Sequence, residues 1–115
     1  MEKRELGSFG EKKAAEHLKG KGFRIVETNY SCRFGEIDII AEDGRYLVFA
    51  EVKLRKDDLH GAAMEFVTPT KQKKIRKTAE YWLCCNQTEL QPRFDVIEIY
   101  TGGGIKINHL EDAFW

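Results

Sequence analysis

The sequence predicts an α/β protein, a single domain over residues 1–115 with a central mixed β-sheet of about five strands flanked by helices. Three observations carry that prediction. Two segments place apolar residues at helical spacing, one near the N-terminus and one past the middle. Five segments rich in β-branched and aromatic residues fall around them, in the order helix, three strands, helix, two strands. The 115 residues, 42% apolar and 33% charged, suffice for one modest core and are too few to divide comfortably in two.

Residues 4–20 read as the first helix, with Leu6, Phe9, Gly10, Ala14 and Leu18 at helical spacing and Gly20 and Gly22 ending the run. "FRIVETNY", residues 23–30, is strand-like. Strands follow at about 35–42 and 45–54, joined through Asp43-Gly44, a strong hairpin signal. "KDDLHGAAMEF", residues 56–66, reads as a loop. Thr68 and Pro69 open the second helix as N-cap and first helical residue, and Ile75, Ala79, Trp82 and Leu83 give it a buried stripe as far as about Cys85. "NQTELQP" is a linker, "RFDVIEIYT" a fourth strand, "GGG" a turn, and "IKINHL" a fifth strand or edge. The second helix separates strands three and four, so that pair is expected to run parallel.

Composition narrows the function classes. No apolar run approaches the roughly 18 residues of a membrane span, and the N-terminus lacks the apolar core of a signal peptide, so a cytoplasmic protein is expected. Cys32, Cys84 and Cys85 have no metal-ligand spacing; the vicinal pair reads as one buried and one half-exposed reduced thiol. Net charge is zero, which speaks against a protein that coats nucleic acid. Residues 51–80, however, carry eight basic and five acidic side chains, with the excess in "KQKKIRK", residues 71–77. Such a run either holds phosphates or is a solvated helix face.

The stretch "GEIDIIAEDGRYLVFAEVK", residues 35–53, sets the functional question. It is an apolar hairpin that nevertheless carries Glu36, Asp38, Glu51 and Lys53. A two- or four-residue loop centred on Asp43-Gly44 would pair 42 with 45, 40 with 47, 38 with 49 and 36 with 51. All four charges then share one face with Ile40, Leu47 and Phe49, with Asp38 diagonal to Glu51 and Glu36 opposite it. A three-residue loop with a bulge would send Asp38 to the other face. Carboxylates gathered beside apolar residues need something to neutralise them: a salt bridge to Lys53, or a divalent cation such as Mg²⁺, which two carboxylates and phosphate oxygens commonly hold. Lys53 would then lie where charge develops on a phosphate.

These residues resemble a known set. Asp38, then Glu51-Val52-Lys53 on the next strand, with Glu11 on a preceding helix, looks like the core of the PD-(D/E)xK nuclease superfamily. "GSFGEKKAAEHLKGKGF", "NYSCRFGEIDIIAEDG", "VFAEVKLR", "VTPTKQKKIRKTAEYWL" and "RFDVIEI" resemble, in order, the small bacterial YraN-like family, described as endonuclease-like and related to Holliday junction resolvases. The resemblance implies a three-layer, restriction-endonuclease-like fold and, by extension, a metal-dependent endonuclease acting on DNA, branched or nicked DNA included. It implies Mg²⁺ or Mn²⁺ as cofactor, Asp38 and Glu51 as metal ligands, and Lys53 as the catalytic lysine. Glu11 matches the helix-borne acidic residue of resolvase-type members, and Gln72 falls where some relatives place a polar residue near the centre. Glu36 has no settled role. Ile37 precedes Asp38 where a proline gave the motif its label.

For contact with DNA, the candidates are Lys71, Lys73, Lys74 and Lys77 on the second helix and Arg55 beside the proposed centre, with Arg33 on its other flank. His60, before Gly61, is a lesser candidate; His17 reads as a packing residue. Tyr30, Trp82, Phe94 and Tyr100 read as core. A homodimer is expected from the resemblance to resolvases, since a two-fold enzyme cuts two strands symmetrically. A protein of another class, a binding module on a nuclease-like fold that does not cut, fits the same residues.

Overall fold

The computed structural model describes residues 3–55 and 67–114, with side chains from Phe9 onward; the predicted loop 56–66 and His60 lie outside them. The helix α1 (Lys3–Gly20) leads to three strands, β1 (Arg24–Cys32), β2 (Gly35–Asp43) and β3 (Tyr46–Arg55). The helix α2 (Pro69–Cys85) and the strands β4 (Gln91–Tyr100) and β5 (Lys106–Phe114) follow. Elements therefore come in the predicted order. Thr68 caps α2 as its sequence requires: its hydroxyl accepts from the Lys71 N–H, and Pro69 occupies the first turn, where its missing N–H costs nothing.

The strands form one sheet in the order β1-β2-β3-β4-β5, all neighbours antiparallel except β3 and β4, which run parallel. Parallel pairing follows from the crossover through α2, a connection too long for a hairpin. Each face of the sheet has its own apolar layer. Ile75, Ala79 and Trp82 of α2 pack on Ile40, Leu47, Phe49, Phe94 and Val96. On the other face, Ala14 and Leu18 of α1 pack on Ile39, Ala41, Val48, Ala50, Ile97 and Ile99. The result is a three-layer α/β domain whose central strands are buried on both sides, which is why β3 and β4 read as nearly continuous apolar runs.

The hairpin register differs from the expected one by two residues. Asp43 pairs with Tyr46, Ile40 with Phe49 and Ile39 with Ala50, so the turn is Gly44-Arg45. Gly44 adopts φ 56° while Arg45 stays out of the left-handed region, as a type II′ turn asks of its first central residue. Asp43 remains in the strand because Arg93 donates to its carboxylate from β4 at 3.2 Å. A shift of two preserves the alternation of faces along β3, so Glu51 and Lys53 share the α2 side with Leu47 and Phe49. On β2, Ile37 and Ile40 join the same core, so strict alternation does not run through Asp38. The expected pairing of the charges does not survive: Glu36 lies beside Ser31 of β1, and continuing the β2–β3 register puts Asp38, not Glu36, opposite Glu51.

Two further details differ. Cys84 and Cys85 are both exposed, because the buried stripe of α2 runs through Ile75, Thr78, Ala79 and Trp82 and leaves both thiols outside it. The last strand extends to Phe114, whose ring stacks on Phe94 at 5.2 Å between centroids and closes the edge of the α2-side core.

One buried charge cluster ties β4 and β5 together on the α1 side. Asp95, fully buried, accepts from Arg93 Nε and Nη2 at 2.9 Å each, from the Asp112 N–H at 3.0 Å, and contacts His109 Nε2 at 2.7 Å. Burial works against its charge, but the bonds from His109, Arg93 and Asp112 outweigh it and hold its pKa below the ordinary 3.8. An acid held low contributes stability that is present above pH 3.8 and lost as the pH falls through the lowered value. Asp95→Ala leaves the Arg93 guanidinium without its main partner, and urea unfolding at neutral pH should show a loss of about 3–5 kcal/mol.

Candidate functional site

The β2–β3 ladder runs from Asp43–Tyr46 to Ile39–Ala50, and the charged residues lie where it ends. There the Val52 N–H is satisfied by a side chain: it donates to Asp38 Oδ2 at 2.7 Å. The Asp38 carboxylate thus stands in for a strand carbonyl in the gap between β2 and β3, near enough to Glu51 to feel its charge. Glu51 is itself only 9% exposed. Placing a glutamate there costs stability unless it is paired, and it is. Lys71 Nζ lies 2.7 Å from Glu51 Oε1 and Lys53 Nζ lies 3.5 Å from the same oxygen.

Three elements converge on this point. β2 and β3 supply Asp38, Glu51 and Lys53. α2 reaches it through its first turn, because the Thr68 cap fixes the helix phase: Lys71 is four residues before the buried Ile75 and so faces the sheet. α1 approaches from the opposite layer. Gly10 is buried, and a Cβ there would meet Val52 Cγ1 at 3.6 Å and Leu54 Cβ at 3.7 Å, so helix and strand approach closely. That approach sets Glu11, the next residue, near enough for its charge to raise the pKa of Asp38.

The electrostatics follow from this crowding. Asp38 is pushed up to about 7, by burial first and then by the charge of Glu51, with Glu11 adding; the Val52 N–H and Lys71 pull the other way. Lys53 is lowered, by burial first and then by a hydrogen bond from Lys71, while Glu51 opposes the shift. Burial also works against the charge on Lys71, but its bonds to Glu51 and Lys53 outweigh it and raise its pKa. The centre holds more negative charge than its setting favours, and two ammonium groups offset it.

The other sequence candidates divide clearly. Lys73, Lys74 and Lys77 are exposed along α2. Glu36 is exposed on β2 and is not drawn into the centre. Gln72 donates from Nε2 to the Val67 carbonyl at 2.9 Å, so its amide fastens the start of the helix. Arg55 is largely buried, its Nε donating to Glu98 Oε2 at 3.1 Å. Glu98 is wholly buried, level with Lys53 in the parallel register, and accepts from Asn108 at 2.8 Å on its other oxygen.

Sequence reasoning placed Lys71 with the phosphate-binding lysines and missed its part in the acidic centre. The four-residue spacing to Ile75 was the available signal. Asp95, His109 and Glu111 also form a group whose ligand-type atoms lie within 4.8 Å of one another, but Arg93 sits among them and supplies the positive charge.

The fold and its centre therefore define a small three-layer α/β domain with a carboxylate–lysine cluster at the end of a hairpin. The sequence pattern of a group described as "Uncharacterised protein family UPF0102" matches residues 10–99, and the chain belongs to that family. It is 45% identical over 115 residues to a UPF0102 protein of Thermodesulfovibrio yellowstonii, covering all of both chains. It is 42% identical over 118 residues to one from Caldicellulosiruptor saccharolyticus, covering 99% of this chain and all of that one. A Geotalea daltonii member is 48% identical over 114 residues, with 95% and 88% covered. Among the described residues no helix is long and apolar enough to cross a membrane.

The raised pKa of Asp38 has a sign that can be measured. An acid whose folded pKa exceeds its unfolded one destabilises the fold progressively as the pH rises from 3.8 to about 7. Asp38→Asn removes that cost and keeps an acceptor for Val52. In metal-free buffer, the variant should gain on the wild type across that range, and the gap should level off above pH 7. Parallel stability curves with no gap would show that Asp38 ionises at its ordinary value.

Proposed function

We propose that this protein is a metal-dependent phosphodiesterase of the PD-(D/E)xK type, acting on DNA in the cytoplasm, with branched or nicked DNA as the substrate and a homodimer as the working form. What supports the reading is the meeting of Asp38 and Glu51 in one half-buried gap with Lys71 drawn onto Glu51 at 2.7 Å. The lysine ammonium stands where a divalent cation would go, and hard oxygen donors on two strands suit Mg²⁺ or Mn²⁺. Asp38 and Glu51 would hold that ion, which supplies Lewis acidity toward a phosphate oxygen and acidifies water.

The chain's own residues account for the rest. Lys53 lies on the same strand face as Glu51, where its ammonium meets the charge that builds on the phosphate oxygens in the transition state. Its lowered pKa reflects burial first and then Lys71. Glu11, approaching from α1, is placed to accept a proton or orient water. Lys73, Lys74 and Lys77 extend positive charge along α2 for the flanking phosphates.

A second reading, a binding module that holds nucleic acid without cutting it, has one observation in its favour. Lys53 and Lys71 already neutralise Glu51, so the centre is satisfied without any metal. The two readings separate on metal and on chemistry. With Mn²⁺ in a calorimeter, Asp38→Asn should weaken binding by about tenfold or more. Lys71→Met should tighten it, because a competing cation is gone, and Lys53→Ala should leave it equal or tighter. Against junction, flap, nicked and linear DNA, the folded wild type should cleave at least one with Mg²⁺ or Mn²⁺, and Lys53→Ala should lose about a hundredfold or more of that rate. DNA binding in EDTA with no cleavage of any substrate would establish the second reading instead.

A further inference from the structure

We propose that one flank of α2, with the β1–β2 turn beside it, is a stacking surface for unpaired nucleotides, leading toward the acidic centre. Lys74, Lys77 and Tyr81 follow one another at three- and four-residue spacing and form a single stripe. Tyr81 is 42% exposed, unusual for a large ring with an apolar neighbour. Its ring lies 5.8 Å from that of Phe34, tilted by 59°, and the Arg33 guanidinium covers Phe34 at 4.9 Å. Between them is a shallow, mainly apolar hollow of about 280 Å³, lined by Phe34, Lys77, Glu80, Tyr81 and Cys84.

The surface is preformed. Gly35, at φ 151°, brings the β1–β2 turn so close to α2 that a Cβ there would stand 3.0 Å from Thr78 Oγ1. That hydroxyl donates to the Lys74 carbonyl at 2.8 Å within α2, so the turn packs on an ordered stretch of helix at the point from which Phe34 and Lys74 project. An exposed tyrosine beside a half-buried phenylalanine, an arginine stacked on that phenylalanine and two solvent-facing lysines call for a ligand that is both polyanionic and flat-faced. Unpaired nucleotides meet that description; duplex DNA hides its base faces within the stack. A folded protein partner would need several hundred Å² of contact, far more than this hollow offers. From Tyr81 back to Lys71 the helix rises about 15 Å, so a strand following the stripe reaches the first turn of α2.

The inference rests on the phosphodiesterase reading only for what lies at the end of the stripe; the binding itself needs no metal. Fluorescence anisotropy in EDTA tests it, with a labelled oligothymidylate and a duplex of equal length, on wild type, Tyr81→Ala and Tyr81→Phe. Tyr81 is exposed, and matching melting curves confirm that the variants fold. The expected result is about tenfold weaker single-strand binding by Tyr81→Ala, near wild-type binding by Tyr81→Phe, and unchanged duplex binding. A loss equal on both ligands would assign the patch to backbone contact and overturn the proposal. So would unchanged single-strand binding by Tyr81→Ala, or a wild type that does not bind the single strand. A protein that passes this test yet cuts nothing with Mn²⁺ would keep the surface and lose the phosphodiesterase.

Discussion

Two carboxylates, Asp38 and Glu51, occupy the gap where β2 and β3 stop pairing, and the surrounding chain is arranged to tolerate them. The Val52 N–H turns to Asp38 and Lys71 to Glu51, and the pKa of Asp38 rises to about 7 because these partners do not fully offset burial and repulsion. Like charges held together in a half-buried place cost free energy, and Asp38 shows that cost in its raised pKa. The sheet beside it carries apolar layers on both faces, and that packing holds the two strands that bear them.

Each layer contributes one device. The parallel β3–β4 pair fixes the height of Glu51 and Lys53 and places Glu98 beside them, where it engages Arg55 and Asn108. The capped start of α2 presents Lys71. The close contact at Gly10 brings α1, and with it Glu11, to the end of the gap. A second charged knot, Asp95 with Arg93, His109 and the Asp112 N–H, is satisfied on every side and holds β5 to the sheet. The contrast is instructive: the Asp95 carboxylate is drawn below its ordinary pKa, that of Asp38 is driven above it. Hydrogen bonds outweigh burial at the first; at the second, burial and the charges of Glu51 and Glu11 outweigh the bond from Val52 and the charge of Lys71.

Much of this was legible in the residues. Apolar periodicity, the Asp-Gly turn and the Thr68-Pro69 start gave every element of the fold in order, because each rests on local physics. The shared face of Glu51 and Lys53 also survived, since alternation along β3 depends only on parity. The register did not, because Asp43 is kept in β2 by Arg93, fifty residues away, and no local signal reports that bond. Arg55, read as a DNA contact, turns to Glu98 for the same reason: its partner is on a strand that only the tertiary fold brings alongside. Lys71 was readable in principle from its spacing to Ile75, but it was lost among four neighbouring lysines and arginines.

The central claim is that the carboxylate gap is a cation site whose place Lys71 keeps. A crystal structure of the protein soaked in Mn²⁺, with data collected at the manganese absorption edge, tests it most directly. The account predicts an anomalous peak between the carboxylates of Asp38 and Glu51, with the Lys71 ammonium withdrawn from Glu51. A map with no peak there, and the Lys71–Glu51 contact still at 2.7 Å, would contradict it.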